Sequence, residues 1–150
     1  MKVYVAGQLA DKTAVADVQR AILAAGHELT HDWTQDLDFT TDYAARPEDS
    51  AHIAQTDLSG VMAADAVVVI ASSPQPGRGL FVELGAALAR AEMGLLSHVV
   101  AVGAIVHESV FYFHPRVRRV ATVQEWLAEV ESQRRTKRCS CRPVSGSTLL

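Results

Sequence analysis

The stretch 64-ADAVVVIASSPQPGRGLFVELGAALA-89 decides how the rest of the chain is read. Ala66–Ala71 is a short β-branched run, the pattern of a strand buried on both faces. S-S-P-Q-P-G-R-G (Ser72–Gly79) breaks the strand at its carboxyl end. The alanine- and leucine-rich continuation to about Gly94 predicts a helix, with Glu83 in or near its first turn. Strand, loop and helix in this order form half of a parallel-sheet unit. In such sheets, ligands collect beyond the carboxyl ends of the strands. The start of the helix also offers free N–H groups to whatever sits above it. Glu83 stands among apolar and small residues. It is either a charge favoured by the helix dipole or a nucleophile, and this stretch alone does not separate the two.

Further out, the same alternation continues. Lys2–Ala6 reads as a first, central strand ended by Gly7. Asp11 or Thr13 caps a helix whose stripe is Val15, Val18 and Ile22, and Gly26 stops it. His27–Trp33 alternates like a second strand, and Leu37–Arg46 reads as a loop. Pro47 suits the first turn of a helix running to about Ala64. His98–Val102 is a fourth strand, and Gly103–Pro115 is irregular. Val117–Ala121 is a short fifth strand. Thr122 and Glu125 form a capping box for a last helix that runs to about Gln133 on Val123, Trp126, Leu127 and Val130.

Such alternation predicts an α/β fold, a flavodoxin-like or Rossmann-like three-layer sandwich with a parallel sheet of about five strands. The domain spans 1–133, and 134–150 is a basic, disordered tail. In the flavodoxin-like strand order, Tyr4–Gln8 would lie beside Ser72–Gly79 at the switch point.

Bulk properties narrow the function classes. The chain has 150 residues, 49% hydrophobic, which suits one domain with a real core. Net charge is −3 overall, but residues 1–133 carry 9 basic and 17 acidic residues, a net −8. Such a body is a poor partner for a nucleic-acid polymer. No apolar run reaches membrane-spanning length and M-K-V-Y-V-A-G enters a strand directly, so the cytoplasm is the expected location. The only cysteines, Cys139 and Cys141, form one C-x-C in the tail, too little for a metal site. His27 and His31 would stand about 13 Å apart on a strand, too far to share a metal. No metal or organic cofactor is expected.

Several residues carry possible chemistry. Ile53, Asp57 and Val61 share a helix face, and Ala54, Leu58 and Met62 make that side apolar. A carboxylate there needs a partner, or else lies at the edge of the stripe. Asp65, at a helix-to-strand corner, reads as a backbone-binding structural residue. Gly77, Arg78 and Gly79 offer backbone donors and one guanidinium, suited to a phosphate or sugar hydroxyls; a plain flexible turn is the alternative. G-x-G-x-x-V follows the third strand rather than the first, which argues against dinucleotide binding. Tyr4 is a phenol on a central strand whose hydroxyl needs a partner, and a carboxylate at the sheet edge would serve. Trp33 could stack on a base or belong to the core.

Four motifs together make the chain resemble the nucleoside 2-deoxyribosyltransferase family, including its 2′-deoxynucleoside 5′-phosphate N-hydrolase relatives. They are K-V-Y-V-A-G, A-G-H-E-L-T-H-D-W-T, D-L-S-G-V-M-A-A-D-A-V-V-V and G-R-G-L-F-V-E-L-G-A-A-L-A, spread over residues 1–102. The resemblance implies that Glu83 attacks the anomeric carbon of a deoxyribose and forms a glycosyl-enzyme. Another base or water then takes the sugar. It also implies that Asp57 binds the sugar and assists proton transfer, that Tyr4 orients the Glu83 carboxylate, and that the protein is a homo-oligomer. Gly7, Ser72, Ser73, Gly77, Arg78, Gly79 and Trp33 are the expected substrate contacts, the two serines and Arg78 as holders of a 5′-phosphate. V-F-Y-F-H-P occupies the place where the transferases carry an asparagine-bearing segment. A nucleotide-binding or sensing module without turnover is the alternative, although two acids near the sugar would give such a binder nothing.

Overall fold

Five short runs, four of them rich in valine, make one parallel sheet. They are β1 (Lys2–Ala6), β2 (Glu28–Leu29), β3 (Ala66–Ile70), β4 (His98–Val102) and β5 (Val117–Val120). The computed structural model describes residues 1–35, 41–75 and 77–140, without the side chains of 138–140. Strand order is β2-β1-β3-β4-β5, the flavodoxin-like order, with every pairing parallel. Helices α1 (Lys12–Ala24) and α4 (Val123–Ser140) pack together on one face. Helices α2 (Pro47–Ala63) and α3 (Arg78–Glu92) pack together on the other. The three-layer α/β sandwich expected from the sequence is the fold observed.

The core follows the strand pattern. Val3–Ala6 and Ala66–Val69 have no exposed surface, as expected for central strands covered by helices on both sides. The edge strand β5 keeps only Val117 and Val120 buried and turns Arg118 and Arg119 outward, which discourages edge-to-edge pairing. Gly26 ends the turn after α1 at φ +76°, a left-handed conformation that glycine adopts without steric penalty. Asp65 holds the predicted corner: its carboxylate accepts from Lys2 N at 2.7 Å, and its own N–H donates to Lys2 O at 2.8 Å. Arg90 braces the neighbouring corner by donating to the carbonyls of Val61, Ala64 and Leu95 at 2.7–2.9 Å.

Four boundaries differ from the sequence reading. The second strand is only Glu28–Leu29 instead of His27–Trp33. Asp32 diverts the chain there, because its Oδ1 accepts from Thr34 N at 3.2 Å and Thr34 Oγ1 at 2.5 Å. Such a local turn competes with a sheet ladder. Asp11 precedes α1 without making a side-chain cap. Helix α4 runs past Gln133 to Ser140, supported by an Arg135–Glu131 pair at 3.1 Å and by Thr136 Oγ1 donating to Ser132 O. The basic segment therefore begins as helix; residues 141–150 lie outside the described ones. Of the predicted loop Leu37–Arg46, residues 37–40 also lie outside them, and Tyr43–Ala45 form a short 3-10 turn.

The topology brings the end of β1 beside the loop before α3, as the strand order requires. Gln8 Cγ and Nε2 lie 3.9 Å from where a Cβ on Gly77 would stand. Gly7 makes this possible on the α1 side, since a Cβ there would collide with Val15 Cγ2, itself fully buried. Gly7→Ala is therefore expected to destabilise the fold by about 1–3 kcal/mol. Val15→Ala added to it should recover part of that loss, and denaturant unfolding of the two single variants and the double variant measures the coupling.

Candidate active site

Three elements deliver one side chain each to the carboxyl edge of the sheet. β1 carries Tyr4, whose ring is fully buried beneath α2 and α3. α2 carries Asp57 on the Ile53–Asp57–Val61 face. α3 carries Glu83, the sixth residue of the helix and so in its second turn. Tyr4 Oη donates to Glu83 Oε1 at 2.7 Å, a contact between residues 79 positions apart. Asp57 Oδ1 lies 3.5 Å from His31 Nε2.

Asp57 and Glu83 line one cleft of about 450 Å³, together with Gly7, Gln8, Trp33 and Arg78. Gly77 and Gly79 line it as well. An adjoining hollow of about 390 Å³ shares Tyr43, Asp57, Gly79 and Glu83 and adds Ala54, Leu58 and Val82. α3 begins at Arg78 with Gly77 as an extended cap residue that makes no side-chain hydrogen bond, which suits the predicted cluster of N–H donors. The apolar side of α2 is narrower than the sequence suggests. Val61 is buried, but Leu58 and Met62 are 43% and 52% exposed instead of filling the core; Leu58 lines the adjoining hollow and Met62 does not.

Not every expected contact reaches the cleft. Ser72 and Ser73 are not among its lining residues. Ser73 is buried with no hydrogen-bond partner for its hydroxyl among the described residues, and Ser72 packs against Gly103, whose missing Cβ leaves room for it. Trp33 belongs to the core and also borders the cleft. It is 8% exposed and anchored by Nε1 donating to Val5 O at 2.8 Å, yet part of it lines the cleft. Sequence reading passed over Gln8, Tyr43 and His31. Gln8 could have been found, since it directly follows the glycine at the end of β1, where the switch point lies. His31 adjoins Asp57 only because β2 turns at Thr30–Asp32, which no periodicity shows.

Burial dominates the electrostatics. It pushes the Glu83 carboxyl up to about 7, the hydrogen bond from Tyr4 opposes this, and the charge of Asp57 reinforces it. Burial and the two carboxylates push the Tyr4 phenol far above its usual range, so it remains a donor. Glu83 is thus a carboxylate that ionises near neutral pH, held by one donor in a cleft with a second acid. Among the described residues, no group of three or more His, Cys, Asp or Glu side chains converges as a metal site would require.

A carboxyl raised on folding stabilises the fold fully below its unfolded value, and that contribution is lost as pH rises through about 7. Glu83→Gln removes the charge and is therefore expected to raise Tm at pH 8, by up to about 3 kcal/mol in stability, and to change it little at pH 5. Thermal unfolding of both proteins at the two pH values measures the difference.

Comparison with known proteins bears on the family and the fold. The family described as Nucleoside 2-deoxyribosyltransferase matches residues 3–108, which include β1, α2, β3 and α3. No curated protein sequence matches the chain significantly. Among solved structures, the chain is similar to one titled "Crystal structure of conserved protein from Enterococcus faecalis V583". That likeness has a TM-score of 0.66 at 21% identity over 89% of this chain and 98% of the other, and it shows the shared fold. With the family matched across the segments that supply Tyr4, Asp57 and Glu83, the chain belongs to the nucleoside 2-deoxyribosyltransferase family.

Proposed function

We propose that the protein cleaves the N-glycosidic bond of 2′-deoxynucleosides or their 5′-monophosphates through a covalent intermediate on Glu83. The observation that carries the reading is the Tyr4–Glu83 hydrogen bond at 2.7 Å, in a cleft that Asp57 also lines. In the first step a Glu83 carboxylate oxygen bonds to the anomeric carbon. The carbon–nitrogen bond breaks, its electron pair leaves with the base, and the base gains a proton through Asp57. In the second step the nitrogen of an acceptor base, or a water oxygen, bonds to the same carbon. The ester bond to Glu83 breaks, the carboxylate is restored, and the acceptor gives up a proton. Both transition states carry positive charge on the sugar, which two nearby carboxylates stabilise.

Tyr4 leaves one Glu83 oxygen to attack while holding the other. Arg78 and Gly79 at the start of α3 line the cleft, and a helix start with a guanidinium favours an anion, which suits a 5′-phosphate. Ser72 and Ser73 have no part in this version of the site. Deoxyribosyl transfer and hydrolysis differ only in the acceptor. The exposed apolar residues Leu58 and Val82 line the adjoining hollow, and their exposure supports a homo-oligomer that covers this face.

Chromatography of products from each deoxynucleoside and its monophosphate, with and without an added base, tests the reading. Free base alone is expected for hydrolysis, and a new nucleoside for transfer. Glu83→Ala should lower either rate by at least on the order of 10³-fold. Full activity in Glu83→Ala, or no cleavage of any of these compounds, would contradict it.

A further inference from the structure

Gly60 takes no part in the chemistry just described, yet it lies against the Tyr4 ring. It is buried and follows Asp57 by three residues, so the two share a side of α2. A Cβ at this position would stand 2.8 Å from both Tyr4 Cδ2 and Tyr4 Cε2, and 3.0 Å from His31 Cβ. Real Cβ atoms do not approach ring carbons so closely, so something would have to move. The ring has little room, because it is fully buried on a central strand and its hydroxyl is tied to Glu83. Backbone conformation does not call for glycine here. Among the described residues the left-handed glycines are Gly26, Gly94 and Gly103, and Gly60 lies inside a regular helix. Glycine inside a helix is unfavourable by about 1 kcal/mol relative to alanine. What its absent side chain provides at this position is proximity to Tyr4.

We propose that Gly60 is a positioning residue of the active site: the missing side chain lets α2 lie against the Tyr4 ring in the one seating from which its hydroxyl reaches Glu83. Two responses to an added methyl group can be told apart. If the ring tilts away, Glu83 loses the donor that favours its ionised form, and its titration moves to higher pH. If α2 retreats instead, Asp57 withdraws with it, and the titration of Glu83 moves to lower pH. The proposal requires the first. Asp57 and Tyr4 act on Glu83 in this cleft, whose lining also includes Arg78 at the start of α3 and Tyr43, and His31 lies 3.5 Å from Asp57. The inference rests on reading Glu83 as the nucleophile, but it is tested without turnover.

The experiment follows the Glu83 carboxyl carbon by NMR titration of protein labelled with ¹³C-glutamate. It compares wild type, Tyr4→Phe, Gly60→Ala and the double variant, with Glu83→Gln to assign the resonance. Tyr4→Phe and Gly60→Ala are each expected to move the titration upward by about one pH unit, and the double variant no further than Tyr4→Phe alone. Gly85→Ala, on α3 where a Cβ meets nothing within 4 Å, should leave it in place. An unmoved or lowered titration in Gly60→Ala would overturn the proposal. So would a second upward shift of the same size when Gly60→Ala is added to Tyr4→Phe. Should Gly60→Ala not fold, removing the ring in Tyr4→Val/Gly60→Ala is expected to restore folding, and failure to do so also overturns it. Loss of product formation with this coupling intact would bear on the role of Glu83, not on Gly60.

Discussion

A single hydrogen bond, Tyr4 Oη to Glu83 Oε1 at 2.7 Å, joins the first strand to the third helix across 79 residues. Much of the architecture can be understood as what this contact demands. β1 must be central, so that Tyr4 is covered from both sides. The loop after β3 must end beside β1, which the order β2-β1-β3 ensures. α3 must start at the sheet edge, so that its second turn hangs over the ring. A hydrogen bond to a charged group contributes about 1.5–3 kcal/mol. Here it works against the larger tendency of burial to keep the carboxyl protonated, and the balance leaves Glu83 ionising at about 7.

That balance ties function to stability. In the proposed reaction the charged form of Glu83 is the nucleophile, and it is also the form the fold tolerates least. Well-packed surroundings make up for it. β1 and β3 are almost wholly covered, and Arg90 satisfies three carbonyls around the end of α2. The loop before α3 is held from behind by Ser72 against Gly103 and by a His107 contact to the Pro74 carbonyl. A frame of this kind supports the cleft between α2 and α3, to which the loop presents Gly77 and the first turn of α3 presents Arg78 and Gly79.

Much of this is legible in the sequence, for physical reasons that can be named. β1, β3 and β4 are recognisable because central parallel strands are continuous β-branched runs, and Gly26 and Gly94 mark helix ends because they take left-handed conformations. Asp57 and Glu83 stand out as acids among apolar neighbours. Other features are hidden. The length of β2 depends on Asp32 turning the chain, a side-chain event that alternation cannot show. Ser72 and Ser73 sit in the right loop but outside the cleft lining, which no spacing rule predicts. The place of Gly60 emerges only when α2 is laid on β1, because close approach is a property of two elements and not of one. The V-F-Y-F segment lies in a short helix, with Phe111 lining a hollow beside Phe81 and Gly85, apart from the Glu83 cleft.

The central claim is that Glu83 bonds covalently to the sugar. Rapid mixing of the protein with a deoxynucleoside, acid quenching, and mass spectrometry of the intact protein and its peptides test this most directly. The account predicts one deoxyribosyl group per chain, on the peptide containing Glu83 and at Glu83 itself, and no adduct in Glu83→Gln. Continued release of base with no adduct at any quench time, or an adduct on another residue, would contradict it.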